Sequence, residues 1–213
     1  NETVNVDNGT CRYPEPHVLM IMVDGWRPDS IAAADTPTID MLMQNSAYSM
    51  KARVDDTTIS GSGHSSYLTG VWRDKHNVYT NNFSNSNYEE YPHWFQHLKS
   101  ANLGKYTAAY HNWWPMANKA FESCAGCVNK LFYGNDAEIS EELANDLAVK
   151  QMDAATLFLD DTDAYGHYYG FSTSVDEYVE AVNVTDERIG LVMDAIFART
   201  NYAEEDWMVI IST

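Results

Sequence analysis

Three short stretches constrain this chain more than anything else in it: HVLMIMVDG (residues 17–25), ATLFLDD (155–161) and WMVIIST (207–213). Each is a continuous apolar run, rich in branched side chains, without the apolar–polar alternation of a half-exposed strand. Runs of this length read as strands buried on both faces, and such strands belong to parallel sheets covered by helices. The segments between them carry helical spacing. TPTIDMLMQNSAY (36–48) opens on Thr-Pro, YPHWFQHLKSAN (91–102) is amphipathic, EISEELANDLAVKQMDA (138–154) is strongly periodic, and SVDEYVEAVNVTDERIGLVMDAIFART (174–200) is a long helix. SMKARVDD (49–56) and GKYTAAYH (104–111) are further strand candidates. Apolar strands alternating with helices predict an α/β fold, a mostly parallel central sheet with helices on both faces. The chain has 213 residues, 45% of them hydrophobic, which suffices for one sizeable core. No repeat, low-complexity tract or linker interrupts it. A single domain over residues 1–213 is expected, with residues 1–16 as an N-terminal arm.

Charge narrows the function classes. The 31 acidic residues against 13 basic ones give a net charge of −18. Such a surface repels nucleic-acid duplexes and anionic membranes, and bound divalent cations would offset part of it. No apolar run reaches the 18 residues a membrane span needs. Sequons for N-glycosylation stand at Asn1, Asn8, Asn82 and Asn183, which points to a secreted or extracellular glycoprotein, periplasmic if bacterial. The three cysteines are Cys11, Cys124 and Cys127. The CAGC spacing lacks the second CxxC of a zinc site, so a disulfide is expected, either local or joining Cys11 to one of the pair.

In sheets of this class ligands bind beyond the carboxyl ends of the strands. Asp24 closes the first strand. Asp160, Asp161 and Asp163 follow ATLFL, and His167 comes four residues after Asp163. Ser60 and His64 lie in the hydroxyl-rich stretch SGSGHSSYLTG (60–70). Carboxylates and imidazoles gathered at strand ends suit zinc or a harder divalent ion. Each feature also has an ordinary reading. The serine-rich stretch could be a helix-capping turn, His64 could only buttress its loop, and Asp163 with His167 could be a polar pair on a turn. Asp160 and Asp161 read as solvated or supporting groups. Trp113 and Trp114 fit either a stacking wall for an aryl group or plain packing.

Four motifs in order resemble the alkaline phosphatase superfamily, and within it the nucleotide pyrophosphatase/phosphodiesterases. VLMIMVDGWRPD matches the strand that ends in a metal-binding Asp followed by Gly, a bulky residue and Arg: Asp24, Gly25, Trp26 and Arg27. In SGSGHSSYLTG, Ser60 stands four residues before His64 and ahead of Thr69-Gly70, as the family's nucleophile does. KHNVYTNN supplies His76 and Asn81, with Asn77 where the family has Gly. TDAYGHYYG supplies Asp163, Gly166, His167 and Gly170, with Thr162 in place of Pro.

The resemblance implies a metal-dependent phosphodiesterase or nucleotide pyrophosphatase acting on a small phosphoester or nucleotide-like substrate. Ser60 would be the nucleophile, carried through a phosphorylated intermediate, because a hydroxyl activated by a metal needs no histidine base. Two divalent ions, zinc, would be held by Asp24, Ser60, Asp163 and His167, with Asn81 on a phosphate oxygen. Serine in place of the family's usual threonine leaves phosphomonoester or phosphonate hydrolysis as an alternative. A non-catalytic secreted scaffold is the alternative from another class. The family's further Asp-His-Gly ligands would follow Thr213, so a C-terminal continuation or a second fragment is expected to complete the metal site.

Overall fold

The computed structural model describes residues 14–54, 57–102, 104–122, 124–132 and 134–213. Its strands are β1 (Glu15–Val23), β2 (Thr107–His111), β3 (Val128–Leu131), β4 (Ala154–Leu159) and β5 (Glu205–Ser212). They form one sheet in the order β3-β2-β4-β1-β5, with every pair parallel. The helices are α1 (Pro28–Ile31), α2 (Pro37–Gln44), α3 (Ser60–Thr69), α4 (Arg73–His76), α5 (Trp94–Ala101), α6 (Asp136–Val149), α7 (Asp161–Tyr169) and α8 (Asp176–Phe197).

The two faces of the sheet carry separate cores, as continuous apolar strands require. On one side Leu19, Ile21 and Val23 of β1 and Leu157 and Leu159 of β4 pack with Ile39 of α2, Leu143 of α6 and Ile189 of α8. On the other, Met22 and Phe158 pack with Leu68 of α3, Phe95 of α5 and Met116. The pleat sends successive side chains to opposite layers, so one strand serves both cores.

Several expectations need correction. Of the strand expected over 49–56, residues 49–54 run as an exposed turn and coil, and residues 55 and 56 lie outside the described residues. The last strand is not buried. As β5 it lies at the edge of the described sheet, and its residues alternate between partly buried and exposed, with Met208 59% exposed. Position in a sheet depends on the pairing of distant segments, which an apolar run does not encode. Residues 1–13 of the expected arm, including Asn1, Asn8 and Cys11, lie outside the described residues, and Glu15 and Pro16 already belong to β1. The two remaining cysteines form the local disulfide Cys124–Cys127. Of the two described sequons, Asn82 is exposed in a loop, whereas Asn183 is inside α8 and bonded on both sides, to Asp35 N and Glu180. Among the described residues no helix is long and apolar enough to cross a membrane.

His93 gives the fold an acid-sensitive point. It is 1% exposed before α5, between Phe95 and Phe121, and neither ring nitrogen has a protein partner. Burial, with a smaller contribution from His97, pushes it down to about 4. A histidine depressed in the folded state lends stability that is present above its unfolded value of 6.5 and is lost as pH falls towards 4. His93→Leu is expected to raise stability at pH 7 by about 1–3 kcal/mol, the cost of unpaired buried polar atoms. It should also flatten the loss between pH 6.5 and 4. Urea unfolding at pH 7 and pH 5 checks both; an unchanged pH slope in the variant would contradict the assignment.

Candidate active site

The register of the sheet builds the site. Val23 pairs with Leu159, and Asp24 N donates to Leu159 O at 2.8 Å, so the ends of β1 and β4 lie side by side. Asp24 and Asp160 therefore leave the sheet at one level. The turn after β1 is tight: Gly25 has φ +69°, and a Cβ there would stand 2.5 Å from Asp163 Cα. Only glycine allows both the backbone angle and the approach of α7. Tyr178 of α8 fixes this turn by donating to Gly25 O at 2.7 Å and accepting from Arg27 N at 3.0 Å.

The serine-rich stretch begins a helix at Ser60. Ser60 is thus the first residue of α3, and its hydroxyl donates to the Asp24 carboxylate. The next residue is glycine for a steric reason, since a Cβ on Gly61 would meet Thr80 O at 2.6 Å. That approach lets Gly61 N donate to Asn81 Oδ1 at 2.9 Å, which ties Asn81 to the residue after Ser60. With its oxygen engaged, Asn81 turns its amide nitrogen the other way, and the residue is exposed. Asn77, where the resembling family has glycine, adopts φ 58°, a left-handed conformation that asparagine tolerates better than most residues.

His64 is buried, 3.2 Å from Asp24 Oδ2, with its ring edge-on to Phe158 and Trp113. From within α3 it braces Asp24. Trp113 packs against His64 and Phe83, whereas Trp114 is 56% exposed.

Asp163 and His167 stand on the helix α7 and not on a turn, as the ordinary reading of the pair had it. Their side chains are 3.5 Å apart, one helical turn from each other, and His167 is 73% exposed. Thr162, at the position of the resembling family's proline, is fully buried and donates its hydroxyl to Asp24 O at 2.5 Å. The substitution thus adds a tie between α7 and the end of β1 that proline could not make.

The electrostatics are lopsided. Burial together with Asp24 pushes the Asp163 carboxyl up, and burial does the same to Asp160. Asp24 is itself held low, because bonds from His64 and Ser60 outweigh the opposing effect of burial. Among the described residues no lysine or arginine forms an ion pair with Asp24, Asp160 or Asp163. Arg27, the nearest in sequence, is spent on both oxygens of Asp29 and on Phe171 O.

Sequence reasoning missed Asp136. It is 1% exposed, and its carboxylate lies beside those of Asp160 and Asp161, with ligand oxygens within 4.8 Å of one another. Burial and Asp161 push Asp136 up to about 8. In NDAE it reads as an ordinary acidic residue in a first helical turn, and no local signal marks where its side chain goes.

Residues 18–124 match the family described as type I phosphodiesterase / nucleotide pyrophosphatase. The chain is 24% identical over 226 residues to ectonucleotide pyrophosphatase/phosphodiesterase family member 3 of Bos taurus, covering 92% of this chain and 25% of that protein. The structure resembles murine ectonucleotide pyrophosphatase/phosphodiesterase 5 with a TM-score of 0.73 at 14% identity, covering 92% of this chain and 56% of the solved one. An inactive form of that murine protein in complex with AMP gives 0.72 at 15% identity, with the same coverage. The chain therefore spans about a quarter of the curated relative and just over half of the solved chains. The sheet and its helical layers are those of the alkaline-phosphatase-like α/β fold. By sequence the chain belongs to the type I phosphodiesterase / nucleotide pyrophosphatase family.

Proposed function

We propose that this chain carries the nucleophile half of a metal-dependent phosphoesterase site that cleaves phosphodiesters or nucleotide pyrophosphates outside the cell. One observation carries the reading: Ser60 at the start of α3 is bonded to Asp24, within the same acidic cluster as Asp163. Ser60 Oγ attacks phosphorus in line, the P–O bond to the leaving group breaks, and water later hydrolyses the phosphoserine. Asn81, its oxygen fixed on Gly61, is turned to donate its amide nitrogen to a non-bridging oxygen as charge builds there. The first N–H groups of α3 favour the same anion.

The donor set fits a cation. Half-buried carboxylates without a lysine or arginine partner among the described residues, joined by His167, His64 and a serine hydroxyl, match the oxygen and nitrogen ligands of zinc. Asp24 and Ser60 would hold one divalent ion, and Asp163 and His167 a second. Such ions lower the pKa of a coordinated hydroxyl and neutralise phosphate charge. The AMP bound to the murine relative supports a nucleotide-like substrate.

Diesters are expected to turn over faster than monoesters. The donor that the loop after α4 offers is the neutral Asn81 amide, and Arg27 is committed to Asp29, so among the described residues no arginine of the motifs joins the proposed metal ions in balancing the second charge of a monoester. Parallel assays of bis- and mono-nitrophenyl phosphate, with metal analysis of the same sample, test the reading. Absence of hydrolysis of both in zinc-loaded protein would favour a non-catalytic scaffold. A monoester rate well above the diester rate would favour a phosphomonoesterase.

A further inference from the structure

We propose that Asp136 is a positioning residue: it clamps the N-terminus of α7 and so sets where Asp163 and His167 meet Asp24. The proposal rests on the reading of Asp163 and His167 as metal ligands.

The geometry is specific. Asp136 is the first residue of α6, yet its carboxylate does not serve its own helix. Asn135 does that, with its side-chain oxygen accepting from Glu138 N at 3.2 Å. Asp136 reaches across instead. Its Oδ1 accepts from Asp160 N at 3.1 Å and its Oδ2 from Asp161 N at 2.9 Å. These are the first amides of α7, which no residue within that helix can satisfy. Asp160, in the capping position, makes no cap with its own side chain. Its carboxylate is turned to Asn112, which donates at 2.6 Å and also reaches Asp136 at 3.3 Å.

One fully buried carboxylate thus replaces the missing cap and joins three segments: the loop after β2, the start of α6 and the start of α7. Two bonds from one rigid carboxylate fix both the position and the direction of a helix start. Asp163 and His167 lie two and six residues beyond Asp161, so an ångström of drift there moves them relative to Asp24, which belongs to another strand. The Thr162 hydroxyl on Asp24 O is a second tie and Tyr178 on Gly25 O a third. Asp136 is the contact that ties the helix start to α6 rather than to the end of β1. Groups that hold metal ligands in place typically govern metal affinity by about 10–100-fold.

The test uses the full chain carrying Asp136→Ala or Asp136→Asn. Hydrogen exchange is followed residue by residue, together with a zinc titration and thermal melts. In Asp136→Ala the α7 amides should lose about tenfold or more protection relative to those of β4, and the zinc Kd should rise about 10–100-fold. Asp136→Asn keeps one acceptor and should fall between the variant and the native protein; it decides the matter if the alanine variant does not fold. Unchanged α7 protection, equal losses in α7 and β4, or an unchanged zinc Kd with a lowered Tm would each overturn the proposal. If the native protein takes up no zinc while α7 protection still falls selectively in both variants, the clamp stands and the metal reading falls.

Discussion

Replacing Ser60 with alanine is expected to lower turnover of any phosphoester substrate by about a thousandfold or more, since removing a nucleophile that acts within a catalytic unit typically costs at least that much. The fold should survive. Ser60 is half-buried at the first position of α3, where its side chain makes one hydrogen bond to Asp24 and caps nothing. Losing that bond should change stability by about 1 kcal/mol or less. Steady-state kcat/KM and a thermal melt of the same preparation separate the two effects. A variant that keeps near-native kcat/KM would remove Ser60 from the mechanism. A variant equally inactive but unfolded would leave the question to Ser60→Cys, which keeps a nucleophile of nearly the same size.

Asp163→Asn is expected to act in opposite directions with and without metal. Without metal, burial and the neighbouring Asp24 make the ionised carboxylate costly, which is why its pKa is raised. A carboxyl raised in the folded state costs stability above its folded pKa, and the cost fades as pH falls through that value. The neutral amide should therefore leave the metal-free protein at least as stable at pH 7. With metal the change removes a charged ligand, and zinc affinity should fall by more than about 100-fold, beyond the loss typical of a group that only supports a ligand. Bound ligand stabilises a protein in proportion to the logarithm of its concentration over Kd. Thermal melts across a zinc series should thus show a native protein whose Tm climbs with zinc and a variant that starts no lower and stays flat. A variant with an undiminished zinc response would take Asp163 out of the site.

Much of the fold was legible in the chain. The continuous apolar runs became β1, β4 and β5, and the two strongest helical periodicities became α6 and α8. The motif order brought Asp24, Ser60, Asn81, Asp163 and His167 to attention, and the structure gathers Asp24, Ser60 and Asp163, sets Asn81 against the residue after Ser60, and leaves His167 exposed on the same helix as Asp163. What was missed is local in sequence but decided elsewhere. VNKL is too short and polar to announce β3; it becomes a strand because β2 offers a free edge. DTDAYGHYY has little helical periodicity, and α7 forms because Asp136 and Thr162 hold its first turn.

The sequence by itself determined which segments become strands of a parallel sheet with helical layers, because continuous apolar runs admit few other solutions; two of the three runs, β1 and β4, proved buried. It also determined which side chains stand at strand ends, since those follow directly from where the apolar runs stop. Only the tertiary structure decided that β5 is an edge of the described sheet, that Gly25 and Gly61 are glycine because another backbone passes within 3 Å of where a Cβ would be, and that Asp136 serves a helix other than its own. Each of these depends on contacts between residues distant along the chain, and a one-dimensional pattern holds no record of which distant partner will arrive.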